Sequence, residues 1–126
     1  MNIGLWILQV LLALVFLAHG WLFLSPPPEV AVQMNQSLPR WFSLFLGVAE
    51  LSASVGLILP GVTRILPFLV AWAATGAAFV VGSATVFHTI RGEYSSAAIT
   101  CVLFVLAAGL AYGRARVRPI LPRGAP

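Results

Sequence analysis

Three residues with side chains that exchange protons interrupt the apolar stretches of this sequence: His19, Glu50 and His88. Glu50 lies in the middle of an apolar run, where a charged side chain inside a bilayer costs about 2.5–3.5 kcal/mol. Burial favours the neutral carboxylic acid and a nearby cation favours the carboxylate, so this carboxyl is a candidate proton donor or acceptor. Arg91 and Glu93 follow His88 closely and supply further polar groups. These residues predict acid–base or hydrogen-bonding chemistry in apolar surroundings.

Other kinds of chemistry lack the residues that they need. Metal centres are typically held by spacings such as His-x-x-x-His or Cys-x-x-Cys, which the sequence does not contain, so we expect no metal site. Cys101 is the single cysteine, and its apolar neighbours disfavour the reactive thiolate. The sequence also lacks a glycine-rich phosphate-binding loop and any flavin or haem signature. We therefore expect no resident cofactor and no nucleotide.

The elements that position these residues are transmembrane helices. Of the 126 residues, 60% are hydrophobic and only 8% are charged, whereas a soluble domain has about 25% charged residues. A helix needs roughly 20 apolar residues to cross a bilayer, and four runs satisfy this requirement: residues 3–24, 41–59, 65–90 and 96–113. We predict a single-domain, all-α membrane protein with a bundle of four transmembrane helices and no soluble catalytic domain. The first run lacks a basic leader and a cleavage site, which indicates a mature helix rather than a signal peptide.

The connection at residues 25–40 is the longest. Its apolar residues at Val30, Met34 and Leu38 form one stripe of a short amphipathic segment. The plainer interpretation is a segment on the outer membrane surface, and the functional alternative is a lid over a pocket. The turn at residues 60–64 is predicted to connect the second and third helices, and the turn at residues 91–95 the third and fourth.

The arginines predict the orientation of the bundle. Five of them lie on the side of the two termini and two on the opposite side: Arg64, Arg114, Arg116, Arg118 and Arg123 against Arg40 and Arg91. The positive-inside rule therefore places both termini, and the tail at residues 114–126, in the cytoplasm. A pI near 10.7 is explained by a stop-transfer cluster at residues 114–118 that also touches anionic lipid, so we expect no binding of nucleic acid.

The spacing of polar residues predicts where Glu50 points. Because helical side chains lean toward the N-terminus of their own helix, Glu50 leans toward the outer face, whereas His19 and His88 lean inward. We predict that the three share a cavity in the outer half of the bundle, capped by Arg91 and Glu93. The second run supports this with small and polar residues at spacings of four, three and four on one helix face: Ser43, Gly47, Glu50 and Ser54.

A purely structural interpretation remains open. Glu50 would then be a neutral strut between helices, satisfied by Ser43, Ser54 or a histidine, and His19 would simply bond a backbone carbonyl near the interface. Gln9 and Thr100 are expected to form interhelical hydrogen bonds. Intramembrane ionisable residues are more often functional than structural, which favours the functional interpretation for Glu50.

Four segments give the sequence a resemblance to a known family: residues 47–51 (GVAEL), 56–61 (GLILPG), 87–93 (FHTIRGE) and 112–114 (YGR). In this order they resemble the DoxX-like family of small four-helix bacterial membrane proteins. The resemblance implies a four-helix bundle in the bacterial inner membrane, with Glu50, His88, Arg91 and Glu93 as characteristic polar positions. It further implies an association with membrane redox chemistry, because relatives in the wider group are linked to quinone-dependent sulfur oxidation and to membrane oxidoreductase complexes.

Three functions follow as hypotheses. The first is an accessory protein that holds a lipophilic, quinone-like molecule in the cavity, with His19, Glu50, His88, Arg91 and Glu93 around its polar end. The second is a cofactor-free enzyme for an isomerisation, cyclisation or epoxide opening, with Glu50 and His88 as acid and base. The third is a proton-coupled carrier, which the absence of paired broken helices disfavours. Apart from lipid, the expected partners are a partner subunit or a second copy of the chain.

Overall fold

A computed structural model describes residues 2–126, which contain helices and no β-strand. The α-helices are α1 (Asn2–Leu24), α2 (Pro28–Ser37), α3 (Arg40–Thr63), α4 (Leu69–Ile90) and α5 (Tyr94–Tyr112), and a π-helical turn (Gly113–Val117) extends α5. Four helices, namely α1, α3, α4 and α5 with its extension, are long and apolar enough to cross a membrane. The predicted all-α fold with four membrane spans is confirmed.

The four long helices form a ring in which α1 packs on α3, α3 on α4, and α4 on α5, with a smaller contact between α1 and α5. The core between them contains a few larger side chains, such as Phe16 and Leu57, and many alanines. Most other large apolar side chains are exposed, including Trp72 and Phe79. This distribution is typical of a bundle whose outer surface faces lipid and whose helices touch through small residues.

The bundle has two chemically different ends. We call the end that holds Asn2, the α3–α4 connection and the C-terminal tail the termini end, and the opposite end the α2 end. Helix α2 confirms the predicted short segment between the first two spans. It begins with Pro28 at its first turn, where a missing backbone N–H is tolerated, and none of its residues is fully buried.

The connection between the second and third spans lies later than predicted. Helix α3 continues through Pro60 and Gly61 and ends at Thr63, so residues 64–68 make the turn rather than residues 60–64. Pro60 removes one backbone hydrogen bond from α3, the bond to the Gly56 carbonyl, and Gln9 of α1 donates its Nε2 to the adjacent carbonyl of Leu57 at 2.5 Å. Neighbouring helices that supply such bonds allow proline inside membrane helices.

Candidate functional site

Two glycines bring α1 and α3 into close contact. A Cβ atom at Gly20 would lie 3.0 Å from the backbone oxygen of Gly47 and 3.1 Å from the Cβ of Glu50. A Cβ atom at Gly47 would lie 2.9 Å from the side chain of Leu24. The absence of side chains at both positions therefore permits backbone contact between the helices. This contact places the residue before Gly20, His19, beside Glu50.

His19 and Glu50 form a direct pair. Nδ1 of His19 lies 2.7 Å from Oε2 of Glu50, which confirms the predicted convergence of these two side chains. Glu50 is only 4% exposed, whereas the His19 side chain is 53% exposed on the surface of α1. A single proton shared across this contact can reside on either side chain, so the pair joins a buried carboxyl to the bundle surface.

The stripe predicted on the second span faces the bundle. Ser43, Gly47, Glu50 and Ser54 are all buried in α3. Ser54 donates its hydroxyl to the Ala13 carbonyl of α1 at 2.8 Å, so it ties the two helices together rather than bonding Glu50. Within residues 2–126, the second carboxyl oxygen of Glu50, Oε1, has no hydrogen-bond partner, which leaves it available to another group.

Glu50 also forms part of the wall of a pocket between α3 and α4. The pocket has a volume of about 300 Å³, and most of its lining is small and apolar: Phe16, Ala49, Glu50, Ser52, Ala53, Ala73, Gly76, Ala77 and Val80. We call it the α3–α4 cleft. The two helices touch where a Cβ at Gly56 would lie 2.9 Å from the Cβ of Ala73. Nearer the α2 end, a Cβ at Gly76 would meet nothing within 4 Å, so this part of the cleft is open.

The cleft lies near the mid-length of the bundle, whereas the sequence predicted a cavity nearer the α2 end. Glu50 is near the centre of α3, and the α4 residues of the lining come from the first half of that helix and its centre. Ser52 and Gly76 are both exposed, so the cleft opens sideways toward lipid. This position differs from the predicted one because the open space follows the small residues of α4 and not the polar residues at its end.

His88 does not join Glu50, so the prediction of one shared cavity is wrong. Its Nδ1 lies 2.5 Å from Oε2 of Glu93, and it stands eight residues after Val80, or about 12 Å further along the helix. Glu93 can reach His88 because Gly92, at φ +72°, turns the chain back immediately after α4. The predicted cap residues therefore form a second and separate cluster.

This second cluster, made of His88, Arg91 and Glu93, lies at the α2 end. Arg91 donates its Nε to Oε1 of Glu93 at 2.9 Å, and its Nη2 to the Ser37 hydroxyl of α2 at 3.2 Å. The hydrogen bonds from His88 and then from Arg91 hold the pKa of Glu93 below its ordinary value. The cluster thus links α2 to the α4–α5 turn and contributes no atom to the lining of the cleft.

The sequence interpretation missed a buried polar group at the termini end. Arg114, assigned to an exposed stop-transfer cluster, turns inward and is 3% exposed. Its Nε donates to Oε1 of Gln9 at 2.8 Å, and its Nη1 to Oδ1 of Asn2 at 2.6 Å. The expected interhelical role of Gln9 is confirmed by this bond and by its bond to Leu57. The sequence does contain a signal for a buried polar group at this end, because Asn2 and Gln9 are seven residues apart and therefore lie on one face of a helix.

Four apolar spans with polar side chains inside the bundle define a multi-pass helical membrane protein. The model of the DoxX-like family matches residues 7–110, and the chain belongs to this family. The match includes both His19 and Glu50 and the cluster at the α2 end, and it stops short of Arg114. No curated protein and no solved structure matches the chain.

Proposed function

We propose that this membrane protein binds a lipophilic small molecule in the α3–α4 cleft, with Glu50 hydrogen-bonded to its polar end. The observation that carries this proposal is one buried carboxyl in the wall of an otherwise almost apolar cleft that opens toward lipid. The volume of about 300 Å³ lies at the lower end of the range for small-molecule sites. A ligand would enter sideways from the bilayer, without passing through water.

The lining favours a flat ring with an oxygen substituent. Ala49, Ala53 and Ala77 leave a narrow space between two helices, and Oε1 of Glu50 has no partner within residues 2–126. A quinone-like carbonyl would accept a hydrogen bond from the acid form of Glu50, and a quinol hydroxyl would donate a hydrogen bond to its carboxylate form. We therefore propose a quinone-like ligand and an accessory role in membrane redox chemistry, in line with the family resemblance.

The contact between His19 and Glu50 supports a second candidate, a cofactor-free acid–base enzyme. Glu50 would exchange a proton with a substrate in the cleft, and His19 would resupply it from the exposed side of α1. In this second candidate His88 takes no part in the proton exchange at Glu50, because its Nδ1 is hydrogen-bonded to Glu93. An isomerisation, cyclisation or epoxide opening needs only such a proton exchange, with no external reductant.

The distribution of arginines supports a proposed orientation. The termini end carries five arginines, four exposed and one buried, and the α2 end carries Arg40 and Arg91. We propose that the protein lies in the bacterial inner membrane with the termini end toward the cytoplasm.

The proposal is tested by mass spectrometry of lipophilic compounds that co-purify with the protein. Wild type and Glu93→Gln, which removes a carboxyl outside the cleft, are expected to retain the same compound, and Glu50→Gln to lose it. A second pair of variants leaves Glu50 intact. Gly76→Phe fills open space in the cleft, and Gly109→Phe fills open space on the lipid-facing side of α5, since neither glycine has a neighbour within 4 Å of a Cβ atom.

Each outcome has a defined meaning. Loss of the compound in Glu50→Gln and Gly76→Phe, with retention in both controls, supports binding in the cleft. Conversion of the compound to a product by wild type and not by Glu50→Gln supports the enzyme. Retention of the compound in both cleft variants contradicts the proposal.

A further inference from the structure

Arg114 is a buried cation with an unused hydrogen-bond donor. Its Nη2 atom is inaccessible to solvent and has no hydrogen-bond partner within residues 2–126. The rest of the guanidinium is held in place by Gln9 and Asn2, and by the Arg118 carbonyl 3.4 Å from Nη1. An arginine in a protein cannot lose its proton, so this charge requires compensation from an anion or from dipoles.

Among residues 2–126, no acidic side chain lies at this end of the bundle. The chain's only acidic side chains are Glu29 in α2, Glu50 at the centre of α3 and Glu93 in the α4–α5 turn, and none forms an ion pair with Arg114. Four exposed arginines surround the same end: Arg64, Arg116, Arg118 and Arg123. The uncompensated positive charge of the termini end is complementary to an anionic group that the protein itself does not supply.

An apolar groove lies on the lipid side of the same region. It has a volume of about 370 Å³ and is lined by α1 alone: Ile3, Trp6, Ile7, Val10 and Leu11. Trp6 belongs to both features, because its ring also packs against the guanidinium of Arg114, whose carbon lies 5.0 Å from the ring centre. Trp6 therefore contacts both the buried cation and the groove, and a ligand that reached Nη2 from the groove would have to displace its ring.

We propose that the termini end binds one anionic phospholipid, with its phosphate on Nη2 of Arg114 and an acyl chain in the α1 groove beside Trp6. Phosphate oxygens are among the acceptors that a guanidinium binds most strongly. The apolar groove near the cation would bind the acyl chain of a lipid, whereas a free phosphate ion has no apolar part to place there. The surrounding exposed arginines attract anionic headgroups to this end of the bundle. This site is separate from the α3–α4 cleft and does not depend on the function proposed for it.

Native mass spectrometry of the delipidated full chain in detergent tests the site, with phosphatidylglycerol as the probe. We expect wild type to bind one phosphatidylglycerol more tightly than phosphatidylcholine. Arg114→Gln is expected to lower the affinity for phosphatidylglycerol on the order of tenfold, which is the effect of losing one charge-assisted hydrogen bond. The matched control Arg116→Gln removes an exposed arginine two residues away and is expected to weaken the binding of phosphatidylglycerol far less than Arg114→Gln, because it removes only part of the surface attraction.

Two further measurements keep the proposal testable if Arg114→Gln does not fold. Ile7→Asn leaves all arginines and Trp6 in place and puts a polar side chain into the apolar groove, so it is expected to weaken the binding of phosphatidylglycerol. Inorganic phosphate is expected not to displace the lipid from wild type. Displacement by inorganic phosphate would identify a free-anion site, and equal weakening by Arg114→Gln and Arg116→Gln would identify an unspecific basic surface. Either result overturns the proposal, as does equal binding of the two lipids.

Discussion

Nδ1 of His19 lies 2.7 Å from Oε2 of Glu50, although the two residues are 31 positions apart and belong to different helices. The pair exists because Gly20 and Gly47 remove the side chains that would separate α1 from α3. The close contact between backbones thus determines which polar group satisfies the buried carboxyl. It also leaves the other carboxyl oxygen free for the α3–α4 cleft.

The first prediction concerns this helix contact. Gly20→Val is expected to destabilise the fold by about 1–3 kcal/mol, because the new side chain would collide with backbone atoms of α3 that cannot move independently. The measurement is unfolding in a denaturing detergent. Gly4→Val is the control on the same helix, since a Cβ at Gly4 has no neighbour within 4 Å. Equal stability of the two variants would show that α1 and α3 do not approach closely at Gly20.

The second prediction concerns the coupling between His19 and Glu50. Replacing either partner by alanine leaves the other without its hydrogen bond, so His19→Ala and Glu50→Ala are each expected to destabilise the protein. Their combination is expected to cost less than the sum, with a coupling energy of about 0.5–3 kcal/mol. A double-mutant cycle on unfolding free energies measures it. Strict additivity would mean that the two side chains do not interact.

The third prediction concerns pH. The pKa of Glu93 lies below its ordinary value because His88 and Arg91 bond its carboxylate. A carboxyl with a lowered pKa in the folded state adds stability above its ordinary pKa, and this contribution disappears as the pH falls through the lowered value. Thermal unfolding of Glu93→Gln should therefore respond less to acidification below pH 4.5 than that of wild type. The effect should be small, because the carboxyl is solvent-accessible.

Glu29→Gln is the control for the pH experiment. Glu29 is an exposed carboxyl of α2 that forms no ion pair within residues 2–126, and its replacement should leave the acid response of wild type unchanged. Parallel pH profiles for wild type and Glu93→Gln would contradict the assignment of this cluster.

The fourth prediction concerns Gln9. Gln9→Leu increases the hydrophobicity of a membrane helix but is expected to destabilise the bundle by about 1–3 kcal/mol, because Arg114 loses an acceptor and the Leu57 carbonyl a donor. Detergent-induced unfolding measures the effect. Gln33→Leu, at an exposed position of α2, makes the same chemical change without burial. A Gln9→Leu protein as stable as the control would show that the bonds of Gln9 contribute nothing.

The sequence predicted the features that depend on amino-acid composition and on the spacing of residues along a single helix. Four apolar runs gave the spans, and the spacing of Ser43, Gly47, Glu50 and Ser54 gave the face that packs inside the bundle. The approach of His19 to Glu50 followed from helical rise and from the lean of side chains along antiparallel helices. Each of these features depends only on the positions of residues within helices.

The features that sequence reasoning missed depend on which of several possible hydrogen-bond partners a polar side chain binds, and on where two helices separate. His88 reaches Glu93 across a glycine turn, so a local contact removed it from the predicted cavity. Arg114 was assigned to the surface by its charge, but Gln9 and Asn2 offered acceptors inside the bundle. The position of the cleft depends on where α3 and α4 separate beyond Gly56, which no single-helix period predicts.

The central claim is that the Glu50 carboxyl is reached from lipid through the α3–α4 cleft. A lipophilic carbodiimide, which partitions into bilayers and adds covalently to protonated carboxyl groups, measures this access when the modified residue is identified by peptide mass spectrometry. Labelling at Glu50 in wild type and Gly109→Phe, with little or none in Gly76→Phe, is the predicted result. An unlabelled Glu50 in wild type, or undiminished labelling in Gly76→Phe, would contradict the account.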